Sequence, residues 1–101
     1  MEIKTAERKE KMTEAHLFTT GRVQGVFYRV WAKDLAEELG LNGWIKNNKN
    51  GEVEILLQGE KEKLEKMIKK CRQGSKFSKV DSVRVEWTSL TERIEGFSVL
   101  R

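Results

Sequence analysis

The run Gly21-Arg22-Val23-Gln24-Gly25-Val26-Phe27-Tyr28-Arg29 constrains this chain more than any other segment, because a strand pattern ends in it and a helix pattern begins at its far end. A chain that turns from strand to helix within so few residues has little choice of path. Glycine at Gly21 and Gly25 lets successive peptide N–H groups turn toward one point. The first turn of a helix carries unpaired N–H donors, and the helix dipole adds partial positive charge there. The segment therefore reads as an anion cradle, which Arg29 can close with a planar fork that matches a pair of acceptor oxygens.

The rest of the chain alternates in the same way. Residues 1–14 mix acids and bases with no apolar face and are expected to form a charged, mobile N-terminal extension, leaving 15–101 as the domain. From Ala15, the residues Ala15, Leu17 and Thr19 alternate with His16, Phe18 and Thr20, which predicts a first strand. Tyr28, Trp31, Ala32, Leu35, Ala36 and Leu39 recur at helical spacing, and Gly40 stands where a C-terminal cap belongs. Gly43 to Asn47 and Glu52 to Gln58 read as two strands joined around Asn50-Gly51, with Val53, Ile55 and Leu57 toward the core and Glu52, Glu54 and Gln58 toward water. Leu64, Met67, Ile68 and Cys71 form one stripe of a second helix, stopped by Gly74. Val83, Val85 and Trp87 alternate as a further strand, a polar connection runs from Thr91 to Glu95, and Phe97 with Val99 close the chain. This is an α+β order, βαββαβ with a short C-terminal strand added. Its expected architecture is a ferredoxin-like sandwich, one antiparallel sheet with both helices on one face.

Composition narrows the function classes. A chain of 101 residues holds one domain and one core, with no room for a separate cofactor domain. No apolar run approaches the roughly 20 residues that span a bilayer, and the charged N-terminus lacks a signal region, so a cytoplasmic protein without membrane contact is expected. The net charge of +4 favours anionic partners, but lysines and glutamates are interspersed, so a phosphorylated metabolite fits as well as nucleic acid does. The single cysteine, Cys71, cannot form an internal disulfide, and the single histidine, His16, makes no recognised metal motif with it. No metal and no cofactor are expected.

Competing motifs are weaker. Val26 and Phe27 follow Gly25 where a nucleotide-binding P-loop needs lysine and a hydroxyl residue, and no dinucleotide fingerprint is present. Cys71 as a phosphatase nucleophile would want an arginine where Phe77 stands, and reads better as core. His16 lies on a strand with no carboxylate partner in the sequence pattern, so a structural or surface role is expected. Glu52 with Glu54, and Glu37 with Glu38, read as solvated faces, and Trp31, Trp44 and Trp87 as core or core-edge packing. Phe18 could serve an RNA-binding sheet, but Glu52 and Glu54 would repel the backbone. A non-catalytic anion-binding module is the remaining alternative.

The glycine loop resembles the active-site signature of the acylphosphatases, small enzymes that hydrolyse carboxyl-phosphate anhydrides. Gly43-Trp44-Ile45-Lys46-Asn47, followed by Gly51, Val53 and Gly59, is similar to that family's second signature, in which a strand carries an essential asparagine into a hairpin. The resemblance covers the chain from about Ala15 to its end. It implies Arg29 as the phosphate-binding residue, Asn47 as the residue that orients the attacking water, and backbone N–H groups of Gln24, Gly25, Val26, Phe27 and Tyr28 as substrate contacts. A carboxamide suits that task, since it offers a donor and an acceptor and stays neutral. No general base accompanies either motif, so the water proton is expected to pass to the substrate's own phosphate oxygen. The implied protein is a metal-independent monomer acting on a small-molecule acyl phosphate, without nucleic acid. Tyr28 replaces the family's usual phenylalanine before the arginine, adding a hydroxyl that needs a partner if buried. The chain also ends Val99-Leu100-Arg101, where many relatives place an arginine one position earlier and finish in an aromatic residue.

Overall fold

Alternating side chains carry the first strand, β1 (Met12–Arg22), through the middle of a sheet in a computed structural model that describes residues 12–90 and 92–100. Ala15, Leu17 and Thr19 are buried as the alternation requires. The strand nevertheless starts before Ala15. Thr13 and Glu14 pair with Gly59 and Gln58 on one side and with Ser89 and Thr88 on the other, so Met12, Thr13 and Glu14 belong to the sheet and not to an extension. Backbone pairing on both flanks holds Thr13 and Glu14, and pairing with Glu60 holds Met12, without an apolar face, aided by a bond from Thr13 Oγ1 to the Thr88 carbonyl at 3.0 Å. The remainder of the expected extension, residues 1–11, lies outside the described residues.

Helix α1 (Tyr28–Glu38) buries Tyr28, Ala32 and Ala36, with Trp31, Leu35 and Leu39 packed against the same core. Its end is closed by N–H groups of Gly40 and Leu41 that donate to the carbonyls of Glu37 and Ala36 at 3.0 and 2.8 Å. β2 (Asn42–Asn47) and β3 (Val53–Glu60) then form the expected antiparallel hairpin, with Asn47 opposite Val53. Its turn is closed by Gly51 N–H to Asn48 O at 3.1 Å and Asn48 N–H to Glu52 O at 2.8 Å. The positive φ this geometry demands falls on Gly51 alone, at 96°, while Asn50 contributes its side chain, whose Oδ1 accepts from Glu52 N–H at 3.0 Å.

Helix α2 (Lys61–Gln73) buries Leu64, Met67, Ile68 and Cys71, the stripe its spacing predicts. β4 (Lys79–Ser89) and β5 (Phe97–Val99) complete a five-stranded sheet of order β4-β1-β3-β2-β5. The four strands of the βαββαβ unit pair antiparallel, in the ferredoxin-like arrangement. β5 departs from this and lies parallel to β2, with Phe97 beside Gly43 and Val99 beside Ile45, so the sheet is mixed. The connection between β4 and β5, of which Thr91 lies outside the described residues, delivers the chain to β2 at Gly96. There Gly96 accepts from Gly43 N–H at 2.9 Å and donates to Asn42 Oδ1 at 3.0 Å. Helix α1 packs over β2 and β5, and α2 over β4, β3 and β1.

One strand residue overturns the expected alternation. Gln58, expected to face water, is 1 % exposed. The connection folds over that side of the sheet, so Gln58 Nε2 donates to the Glu92 carbonyl at 2.7 Å and to Glu14 Oε1 at 2.9 Å, while its Oε1 accepts from Ile94 N–H at 2.9 Å. A carboxamide can be buried there because the polar atoms are paired.

The Tyr28 hydroxyl finds its partner in the core, donating to the Cys71 carbonyl at 3.1 Å. Burial pushes the Tyr28 phenol well above its ordinary range, and burial pushes the Cys71 thiol up to about 12. Both groups stay protonated in the folded protein where the unfolded chain releases its protons, so stability must fall as pH rises from about 9 upward. Tyr28→Phe should cost about 1 kcal/mol at pH 7, through the lost hydrogen bond, and should make that alkaline decline shallower. Urea unfolding midpoints at pH 7 and pH 10.5 check both parts.

Candidate active site

The handover from β1 to α1 is made by two residues in left-handed backbone, Gly25 at φ 74° and Phe27 at φ 62°. Gly25 accepts that conformation freely and Phe27 does not, so the path of the loop is imposed by the docking of α1 on the sheet. The first helical bond runs from Trp31 N–H to the Phe27 carbonyl at 3.1 Å, which leaves the N–H groups of Tyr28, Arg29 and Val30 without intrahelical acceptors. Phe27 provides no side-chain cap, and the first turn of α1 contains no acidic residue. The helix start thus presents amide donors and the positive end of its dipole to whatever anion meets it.

Arg29 stands in this first turn, with Nη1 donating to the Leu100 carbonyl at 3.3 Å. Leu100 N–H in turn donates to the Ile45 carbonyl at 2.8 Å, so the arginine is tied through the chain end to β2. Asn47 lies two residues further along β2, on the same face as buried Ile45, which is the face that α1 covers. The separation along the strand is about 7 Å. A second tie runs from the glycine loop itself. Gln24 Nε2 donates to the carbonyls of Asn48 and Glu52, both at 2.9 Å, and these flank the neck of the hairpin that begins after Asn47.

A cleft of about 330 Å³ opens at the loop, lined by Val23, Gly25, Phe27, Tyr28, Arg29, Val30 and Val99. Arg29 is its one charged lining residue among those described. Of the residues expected to act together, Gly25, Phe27, Tyr28 and Arg29 share this wall, Gln24 turns its side chain to the hairpin, and Val26 packs against the core. Asn47 is outside the wall, joined to the loop through Gln24 and to Arg29 through Leu100 and Ile45. Its Oδ1 is buried and has no hydrogen-bond partner among the described residues. An unpaired buried acceptor is costly.

The Leu100 carbonyl and the Gln24 amide are contacts that no sequence motif announces, since both depend on which strands become neighbours. His16 also departs from expectation. It does have a carboxylate partner, with Nε2 2.6 Å from Glu54 Oε2, because the register places Glu54 diagonally across from it. Glu54 is accordingly half-buried and no solvated residue, and Lys46 Nζ lies 3.9 Å from its other oxygen. Trp44 meets His16 edge-on at 5.8 Å on this face, while Trp87 is 43 % exposed. Among the described residues no group of three His, Cys, Asp or Glu side chains could hold a metal ion. No helix among the described residues is long and apolar enough to cross a membrane. A larger cleft, about 480 Å³, lies between α2 and β4, but neither the glycine loop nor a helix start borders it.

The chain is similar to known proteins over most of its length. The acylphosphatase family profile matches residues 15–99. An acylphosphatase of Roseiflexus sp. is 39% identical over 89 residues, covering 88% of this chain and 96% of that protein. One from Pelotomaculum thermopropionicum is 40% identical over 85 residues, covering 84% of this chain and 92% of that protein. The crystal structure of the Bacillus subtilis acylphosphatase superposes with a TM-score of 0.85 at 34% identity, covering 88% of this chain and 99% of that one. A glycine loop opening a helix at an arginine, tied to a strand that ends in asparagine, is thus found in a chain that belongs to the acylphosphatase family of enzymes, which hydrolyse acyl phosphates.

Proposed function

We propose that hydrolysis proceeds by direct in-line attack of water on a phosphoryl group held by Arg29 and by backbone N–H groups of the Gln24–Tyr28 loop, with Asn47 orienting the water. The observation that carries this reading is the pairing of the two ties: Gln24 binds the loop to the hairpin, and Leu100 binds Arg29 to the strand that bears Asn47. The unpartnered Asn47 Oδ1 supports it, as an acceptor for one hydrogen of the water.

The reaction needs little more. An acyl phosphate has a carboxylate leaving group, so the enzyme's work is to neutralise charge on the phosphoryl oxygens and hold the reactants in line. The water oxygen bonds to phosphorus as the bond from phosphorus to the carboxylate oxygen breaks, and the electron pair leaves with the carboxylate. No carboxylate or imidazole lines the cleft among the described residues, so in this reading the water proton goes to a phosphoryl oxygen of the substrate. Arg29 is well suited to the charge because its fork spans two oxygens at once, and its bond to Leu100 limits how far it must be ordered on binding. The reading has a monomer, acting without metal in the cytoplasm on a small diffusible substrate and not on nucleic acid.

Arg29→Lys should lower kcat/KM about 100- to 1,000-fold although the charge is kept, because the fork and its anchor are lost. Asn47→Ala should lower kcat by a similar factor while leaving phosphate affinity, measured calorimetrically, close to that of the unmodified protein. Turnover of acetyl phosphate should be unchanged after treatment with EDTA. Full activity in Arg29→Lys, or loss of activity on chelation that added metal restores, would contradict the mechanism.

A further inference from the structure

Phe27 is 79% exposed and Val30 is 53% exposed, and both line the cleft that contains Arg29. Their neighbours in sequence behave differently. Val26 and Tyr28 pack into or against the core, whereas Phe27 and Val30 contribute nothing to it. Phe27 is doubly disfavoured where it stands, since an aromatic ring in left-handed backbone is strained and an exposed ring keeps its apolar surface in water. The fold gains nothing from it. Three residues apart at the start of α1, Phe27 and Val30 form one apolar lip, and Val23 and Val99 continue it into the cleft.

We propose that this lip receives the acyl group of the substrate, so that the enzyme prefers acyl phosphates with extended apolar acyl chains over acetyl phosphate and over those carrying a second carboxylate. The inference rests on the hydrolytic mechanism proposed above. In-line displacement requires the leaving carboxylate to depart on the side of phosphorus opposite the water. Asn47 lies on the sheet beneath α1, and the lip lies on the outer, exposed side of the loop, where the departing acyl group would then be directed. Among the described residues Arg29 is the one charged group in the wall, and in this reading it is engaged by phosphate, which leaves the acyl chain the apolar lining of Phe27, Val30, Val23 and Val99.

The test is kcat/KM for acetyl, butanoyl, hexanoyl and succinyl phosphate, measured on the full chain and on Phe27→Gly and Val30→Ser. Phe27→Gly keeps the backbone N–H and suits the left-handed conformation, so folding is not threatened. In the unmodified protein hexanoyl phosphate should be favoured over acetyl phosphate about tenfold, as partial burial of its added methylenes allows. Succinyl phosphate should be the poorest of the four. Each substitution should cut the hexanoyl-to-acetyl ratio at least about threefold, whatever it does to the individual rates. An active enzyme whose ratio is flat across chain lengths, or is unmoved by both substitutions, overturns the lip and leaves the mechanism standing. Failure to hydrolyse any of the four overturns the mechanism and the lip together.

Discussion

One carboxamide joins the two halves of this site. Both hydrogens of Gln24 Nε2 are spent on carbonyls at the neck of the β2–β3 hairpin, so the loop that leaves β1 cannot move without moving the hairpin. The sheet order makes the contact possible. β3 lies between β1 and β2, and the loop leaving β1 therefore emerges beside the turn that joins β2 to β3. A flexible glycine segment acquires a fixed position from a neighbour that is itself braced by a full ladder of strand pairing.

The short last strand supplies the complementary restraint. Because β5 runs parallel to β2, its C-terminal end passes under the first turn of α1, where the Leu100 carbonyl receives the Arg29 guanidinium. The contact uses the backbone, so the departure of this chain from the usual family ending leaves it intact. Charge at the site is equally economical: dipole, amide donors and one guanidinium converge, with no carboxylate among the described residues of the cleft wall to oppose them. An anion bound there would meet positive potential from every polar group it touches.

Much of this was legible in the sequence because its signals are local. The stripe Leu64, Met67, Ile68 and Cys71 needs only helical geometry to be recognised as buried, and Gly51 marks its hairpin through a backbone angle that other residues resist. The loop and Arg29 could be found for the same reason. What escaped depends on contacts between distant segments. Gln58 looks solvent-facing by alternation and is buried only because the connection to β5 folds across it. His16 lacks a sequence partner and acquires Glu54 through strand register. Met12 to Glu14 show no apolar pattern, yet Met12 is held by β3 and Thr13 and Glu14 by neighbours on both sides. The exposure of Phe27 comes from its left-handed backbone, which the sequence does not encode at any one position.

The central claim is that water attacks phosphorus, held in place by groups from two distant parts of the chain. Turnover of an acyl phosphate in water enriched in oxygen-18, with the products separated and analysed by mass spectrometry, tests it most directly. The account predicts one solvent oxygen in the inorganic phosphate and none in the carboxylate. Label in the carboxylate would place the attack at the carbonyl carbon and contradict the roles given to Arg29 and Asn47.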